Sequence, residues 1–133
     1  MSARLTLLIA ALAGAVAVML GAFAAHVLRA QLSAQMLDVF QTGVTYQFYH
    51  VLALFGVGLL RQRSDRPALQ VSAWLFLIGM LLFCGSLYVL VLTGEHYLGV
   101  ITPIGGVAMI AGWLTLAWAV FSKVKQHADT GER

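Results

Sequence analysis

Four long apolar runs occupy most of this chain: Leu5–Leu28, Thr42–Leu60, Ala68–Leu92 and Pro103–Phe121. The hydrocarbon core of a bilayer is about 30 Å thick, and a helix crosses it in about 20 residues. Four such runs with short polar turns between them leave no room in 133 residues for a soluble domain. The chain is 61% hydrophobic and only 10% charged, whereas soluble domains carry about 25% charged residues. The expected fold is therefore all-α, a polytopic membrane protein built as a bundle of four transmembrane helices. It forms one domain over residues 1–122, followed by a polar tail at 123–133 that is expected to be disordered.

Seven of the eight Lys and Arg residues fall on one side of that topology. Arg4, Arg61, Arg63, Arg66, Lys123, Lys125 and Arg133 share it, and Arg29 stands alone on the other. Lys/Arg bias in short loops sets orientation, so both termini, and with them the tail, are expected in the cytoplasm. The net charge of +3 is then topology-setting charge with some attraction to anionic lipid. It forms no basic stripe of the kind a nucleic-acid binder needs, which excludes nucleic acid as a partner. The one cysteine, Cys84, lies mid-run in the third span. It has no disulfide partner within the chain and no electropositive, exposed setting, so it reads as a small packing residue.

The first run shares features with a secretory signal: Arg4 as the basic flank and Ala22-Phe23-Ala24 as a cleavage site. Its apolar stretch from Leu5 to Ala25 is longer than the roughly 7–15 residues of a usual signal core. Retention as a membrane helix is expected, with the mature chain starting at Met1 or Ser2.

Small residues line one face of several helices. In the first span Ala10, Gly14, Ala17, Gly21 and Ala24 recur at spacings of four and three, which places them on one side. Ser72, Gly79 and Ser86 do the same in the third span, and Gly105, Ala108, Gly112, Thr115 and Ala119 in the fourth. Small side chains let helix backbones approach closely in lipid, so Gly14, Gly21, Gly79, Gly105 and Gly112 are candidate packing positions. Ser33 reads as an N-cap for a second helix starting near Ala34. Pro67 suits the first turn of the third helix, and Thr102-Pro103 reads as an N-cap followed by Pro at the first helical position.

Tyr46-Gln47-Phe48-Tyr49-His50 is the segment richest in candidate chemistry. At about 100° per residue, Gly43, Tyr46 and Gln47 share the face of His50 to within about 60°. An ionisable residue near the middle of a span is a functional candidate by default. One reading is a proton relay or ligand contact. The other is a neutral ring satisfied by Gln47, Ser86 or a backbone carbonyl in another helix. The candidate intramembrane site is Tyr46, Gln47, His50, Ser86, Tyr88 and Thr102, placed in the outer half of the membrane.

Two histidines in a bundle also invite a haem reading. His26 ends the first span, however, about ten residues outward of its helix centre, which is roughly 15 Å from the level of His50. Axial ligands to one iron must share a level, so no haem is expected. His26, Glu95 and His96 all lie on the outer side. They read as a helix end and two solvated loop residues rather than the ligand set a metal needs. No carboxylate lies inside a span, which weakens a proton-coupled carrier. Gly105-Gly106 reads as a helix start with close packing rather than an anion site.

Four stretches together resemble one family. They are Gly21-Ala22-Phe23-Ala24-Ala25-His26; Tyr46-Gln47-Phe48-Tyr49-His50; Gly85-Ser86-Leu87-Tyr88 through Leu92-Thr93-Gly94; and Thr102-Pro103-Ile104-Gly105-Gly106 with Gly112-Trp113. Their order and spacing resemble the bacterial DUF423 family, related to the eukaryotic transmembrane protein 256 group, over about residues 5–122. The family pattern has Gly where Ala24 stands and often Ser where Cys84 stands, both small-for-small changes. The resemblance implies a small polytopic inner-membrane protein and no particular reaction, so no catalytic residue is carried over. The expectation is a non-enzymatic accessory or assembly component without cofactor or metal. Its partners would be membrane lipids and either further copies of itself or another membrane protein. The alternative is a small carrier or channel component using His50.

Overall fold

The computed structural model describes residues 1–130, with the side chains of His96 and of residues 123–130 outside the described set. It contains four long helices: α1 (Ala3–His26), α2 (Ala34–Arg63), α3 (Pro67–Thr93) and α4 (Ile101–Thr130). All four are long and apolar enough to cross a membrane, and among the described residues there are no strands. The backbone of α4 continues to Thr130, past the expected end of the fourth span. The polar tail at 123–133 otherwise lies outside the described residues.

Local chemistry accounts for most helix ends. The Ser2 hydroxyl accepts from the Leu5 amide at 3.2 Å, and the Ser33 hydroxyl accepts from the Met36 amide at 3.3 Å. Each satisfies one of the free amides that every helix start leaves open. Pro67 occupies the first turn of α3. Gly94 closes α3 at φ 75°, with its amide on the Leu90 carbonyl at 2.8 Å. That left-handed conformation suits glycine because a side chain would clash there.

The start of α4 corrects one expectation. A short 3-10 turn, His96–Val100, leads directly into the helix, so Thr102 lies inside the first turn rather than capping it. Its hydroxyl instead bonds to Ser86 across the α3–α4 contact.

The helices run alternately up and down. The extensive contacts join neighbours in the chain, α1 with α2, α2 with α3 and α3 with α4. This puts α2 and α3 at the centre and α1 and α4 at the periphery. The end carrying Met1 and the Arg61–Pro67 turn is called here the terminal end, and the opposite one the distal end. One apolar cluster, including Ala10, Leu54, Val57, Phe76 and Met109, fills the terminal half. A second, built on Ala24, Leu28, Phe40 and Val91, fills the distal half.

All five candidate packing glycines face another helix of the same chain. On α1, Ala10, Ala17 and Ala24 are fully buried. A methyl group at Gly14 would sit 3.3 Å from Val51, and one at Gly21 would sit 3.5 Å from Val44. The α3–α4 contact is closer. A methyl at Gly79 would meet the Met109 amide nitrogen at 2.9 Å, and one at Gly112 the Phe76 ring at 2.8 Å. A methyl at Gly105 would overlap the Phe83 backbone. Backbone atoms cannot swing aside as a side-chain tip can. Gly105→Ala should therefore destabilise the protein by about 1–3 kcal/mol, the cost of overpacking a tight contact. Gly106→Ala, whose methyl would meet Phe83 at an ordinary 3.7 Å, should shift stability by no more than about 0.5 kcal/mol. Unfolding in mixed micelles would measure both, and equal effects would contradict the contact.

Candidate functional site

Between the two apolar clusters lies a belt of polar side chains. Its central member is Gln47, which is buried. The Gln47 Nε2 donates to the Ala13 carbonyl on α1 at 2.9 Å, and its Oε1 accepts from the Tyr88 hydroxyl on α3 at 2.8 Å. One amide thereby ties three helices. An unpaired amide away from water costs several kcal/mol, so this bonding is close to obligatory in lipid. Gly43, one turn away, makes room for it: a methyl there would lie 2.7 Å from the Tyr88 ring. Phe40 packs on the same ring at a centroid distance of 4.9 Å.

His50 forms a second node. Its Nδ1 lies 2.8 Å from the Tyr46 carbonyl one turn earlier, and its Nε2 lies 3.2 Å from the Trp113 indole nitrogen on α4. A carbonyl only accepts and an indole N–H only donates, so the partners assign the proton to Nδ1 and the lone pair to Nε2. Both nitrogens are occupied in that neutral tautomer. Phe76, at 5.7 Å, and Trp113, at 6.2 Å, pack around the ring, with Tyr46 stacked at 6.2 Å.

A third node joins α3 to α4. The Ser86 hydroxyl donates to the Phe83 carbonyl at 2.9 Å, so the Thr102 hydroxyl is the donor in their 2.8 Å contact. The six candidate intramembrane residues thus fall into three separate nodes rather than one convergent site. Tyr46 contributes its carbonyl and ring, and the ring packs on Phe83 at 4.9 Å.

At the distal end, His26 and Glu95 are exposed, and the Glu95 amide donates to the Thr93 hydroxyl at 3.3 Å. The His96 side chain lies outside the described residues. No group of three or more His, Cys, Asp or Glu that could hold a metal exists among the described residues. Cys84 is buried beside an apolar groove of about 300 Å³ between α1 and α3, with Gln47 and Tyr88 on its wall.

Sequence reasoning passed over the hydrogen-bonding roles of three residues. Trp113 supplies the donor to His50. Ser72, fully buried, donates to the Gly112 carbonyl at 2.9 Å. Arg61 is buried at the terminal end of α2 and donates to the Met1 carbonyl and, at 3.4 Å, to the buried Thr6 hydroxyl. It also pairs with exposed Asp65 at 3.5 Å, while its Nε has no partner among the described residues. The signal for Arg61 was available: it stands eleven residues from His50, about three helical turns, on the same face. Arg61 was read as loop charge instead.

The Gln47–Tyr88 bond should behave as structural glue. Gln47→Leu should cost about 1–2 kcal/mol by stripping two partners, and Tyr88→Phe less. A double-mutant cycle on unfolding in micelles should return a coupling of about 0.6 kcal/mol. Additive effects would mean that the two side chains do not act together.

The chain matches, over residues 20–106, the family described as "Protein of unknown function (DUF423)". It is 43% identical over 120 residues to a UPF0382 membrane protein of Staphylococcus aureus, covering 89% of this chain and 96% of the relative. The UPF0382 membrane protein YwdK of Bacillus subtilis is 40% identical over 87% of this chain and 95% of its own length. The UPF0382 inner membrane protein YgdD of Escherichia coli K12 is 40% identical over 94% of this chain and 96% of its own length. No solved structure matches the chain. With four membrane-length helices and relatives of this similarity along nearly their whole length, the chain belongs to the DUF423, or UPF0382, family of membrane proteins.

Proposed function

We propose that this protein is a non-enzymatic integral membrane component that acts through helix contacts with other polypeptides, an accessory or assembly subunit. The observation that supports this is the closure of its interior polar groups. Gln47, His50, Ser72, Ser86, Tyr88 and Thr102 bond to one another or to backbone and aromatic groups inside the chain. Such bonds make a rigid unit, and what a rigid intramembrane unit offers its surroundings is its outer faces.

The carrier reading draws on His50 near the middle of α2. A relay would need one ring nitrogen to exchange its partner, and both are engaged, by Tyr46 and Trp113. Vesicles containing the purified protein and a pH-sensitive dye discriminate the two. Proton leakage equal to that of empty vesicles, and unchanged by His50→Leu, is expected. A flux above background that is lost in His50→Leu would overturn the assembly reading.

The membrane is taken to be the bacterial plasma membrane, with both termini in the cytoplasm. The relatives named membrane and inner membrane proteins support the first point, and the Lys/Arg bias read from the sequence supports the second. In a Cys84→Ser background, an impermeant maleimide applied to spheroplasts should label Tyr97→Cys directly and Ser64→Cys only after lysis. The reverse pattern would invert the topology.

A further inference from the structure

The outward face of α2 is polar where lipid should lie against it. Asp38, Thr42, Thr45, Tyr49, Leu52 and Gly56 follow one another at spacings of four, three, four, three and four. That alternation is the seam along which two helices pair with a left-handed crossing. The first five are exposed, Tyr49 at 59%, and Gly56 has nothing within 4 Å of where its side chain would be. Open hollows flank the seam in both halves. One of about 340 Å³ lies beside Asp38, Thr42 and Thr45, and one of about 550 Å³ lies between Gly56 on α2 and Trp113 and Leu116 on α4.

The hydroxyls of this face differ from those of the interior. Neither the Thr45 nor the Tyr49 hydroxyl has a hydrogen-bond partner among the described residues. Thr42 donates to the Asp38 carbonyl at 2.8 Å and keeps its capacity to accept. Tyr49 is level with His50 at the centre of a 30-residue helix. Its ring cannot carry the hydroxyl the ~15 Å from midplane to headgroups. A hydroxyl without a partner in hydrocarbon costs several kcal/mol, and the three polar nodes between the apolar clusters avoid that cost.

Resting on the assembly reading above, we infer that this α2 face docks a second copy of the chain, α2 against α2 about a two-fold axis along the membrane normal. Membrane insertion gives both copies the same orientation, so the paired helices are parallel, as the seam requires. On a two-fold axis each residue meets its own counterpart. Threonine and tyrosine hydroxyls both donate and accept, so identical residues satisfy each other. Gly56 lets the backbones approach in the terminal half. The like charges that self-pairing brings together, Asp38 and Arg63, are 25 residues apart along the helix, about 37 Å. Both therefore lie outside the hydrocarbon, where salt screens them.

The test uses the full chain in its own membrane. Single cysteines in a Cys84→Ser background are oxidised with copper phenanthroline. Thr42→Cys, Thr45→Cys and Tyr49→Cys should yield disulfide-linked dimers. Phe48→Cys at the same depth, Val18→Cys on α1 and Trp118→Cys on α4 should not. Dimers of equal yield at seam and control positions, or none at the seam, would overturn the inference. A milder pair, Thr45→Val and Tyr49→Phe, keeps the packing. Each should lower the dimer association constant roughly threefold, read by energy transfer in vesicles diluted with lipid; an unchanged constant would also overturn it. Seam cysteines linked solely to a different polypeptide would overturn the second-copy inference and leave the assembly reading standing, whereas proton flux through His50 would overturn that reading itself.

Discussion

A buried side-chain amide in lipid has no water to return to, and the fold is organised around how Gln47 meets that constraint. Its two halves reach opposite ways, the nitrogen to the Ala13 carbonyl on α1 and the oxygen to the Tyr88 hydroxyl on α3. Hydrophobic burial cannot choose one helix arrangement over another here, because lipid tails are as apolar as leucine. The amide can, since any rotation of α2 that removes either partner leaves it unsatisfied. The glycines make the arrangement possible: Gly43 admits the Tyr88 ring, and Gly79 and Gly105 bring α3 and α4 into backbone contact. Polar bonding sets which faces meet, and small residues set how near they come.

The centre and the terminal end of α2 are held by different means. Near its centre, aromatic packing around His50 joins α2 to α4 through Trp113. At its terminal end Arg61 folds inward and takes the Met1 carbonyl and Thr6 hydroxyl at the start of α1. A guanidinium keeps its charge in any surroundings. It can be buried there because carbonyl, hydroxyl and the Asp65 carboxylate share the load near the water boundary. The same arginine that the sequence presents as loop charge thus anchors the amino-terminal turn of α1.

Local features were legible in the sequence, and pairings were not. The four spans, the Ser33 cap and Pro67 at the start of α3 depend on residues within one turn of each other. The Thr102 cap failed because a 3-10 turn ran straight into α4 and because Ser86 offered the hydroxyl a better partner across the helix contact. The polar residues of the candidate site were visible individually. Their division into three nodes depends on the packing of α1, α3 and α4 around α2, and hydropathy does not encode helix order. Trp113 was missed because it stands mid-span, where an indole reads as packing until the helix it faces is known. Its donor role exists only once His50 is opposite.

Of the four membrane-length helices, α2 is the least apolar. Central burial explains part of that deficit, because Gln47 and His50 face inward and are satisfied there. It does not explain Thr45 and Tyr49, which stand on the opposite side of the same helix and gain nothing from the interior. A helix that only had to be buried on one side would carry its polar groups on that side and leucine on the other, as α1 does with Leu8, Leu12 and Met19 outward. Polar groups on both sides mean that α2 has two polar contacts to make. The fold of the single chain accounts for one, and the inferred α2–α2 pairing would account for the other.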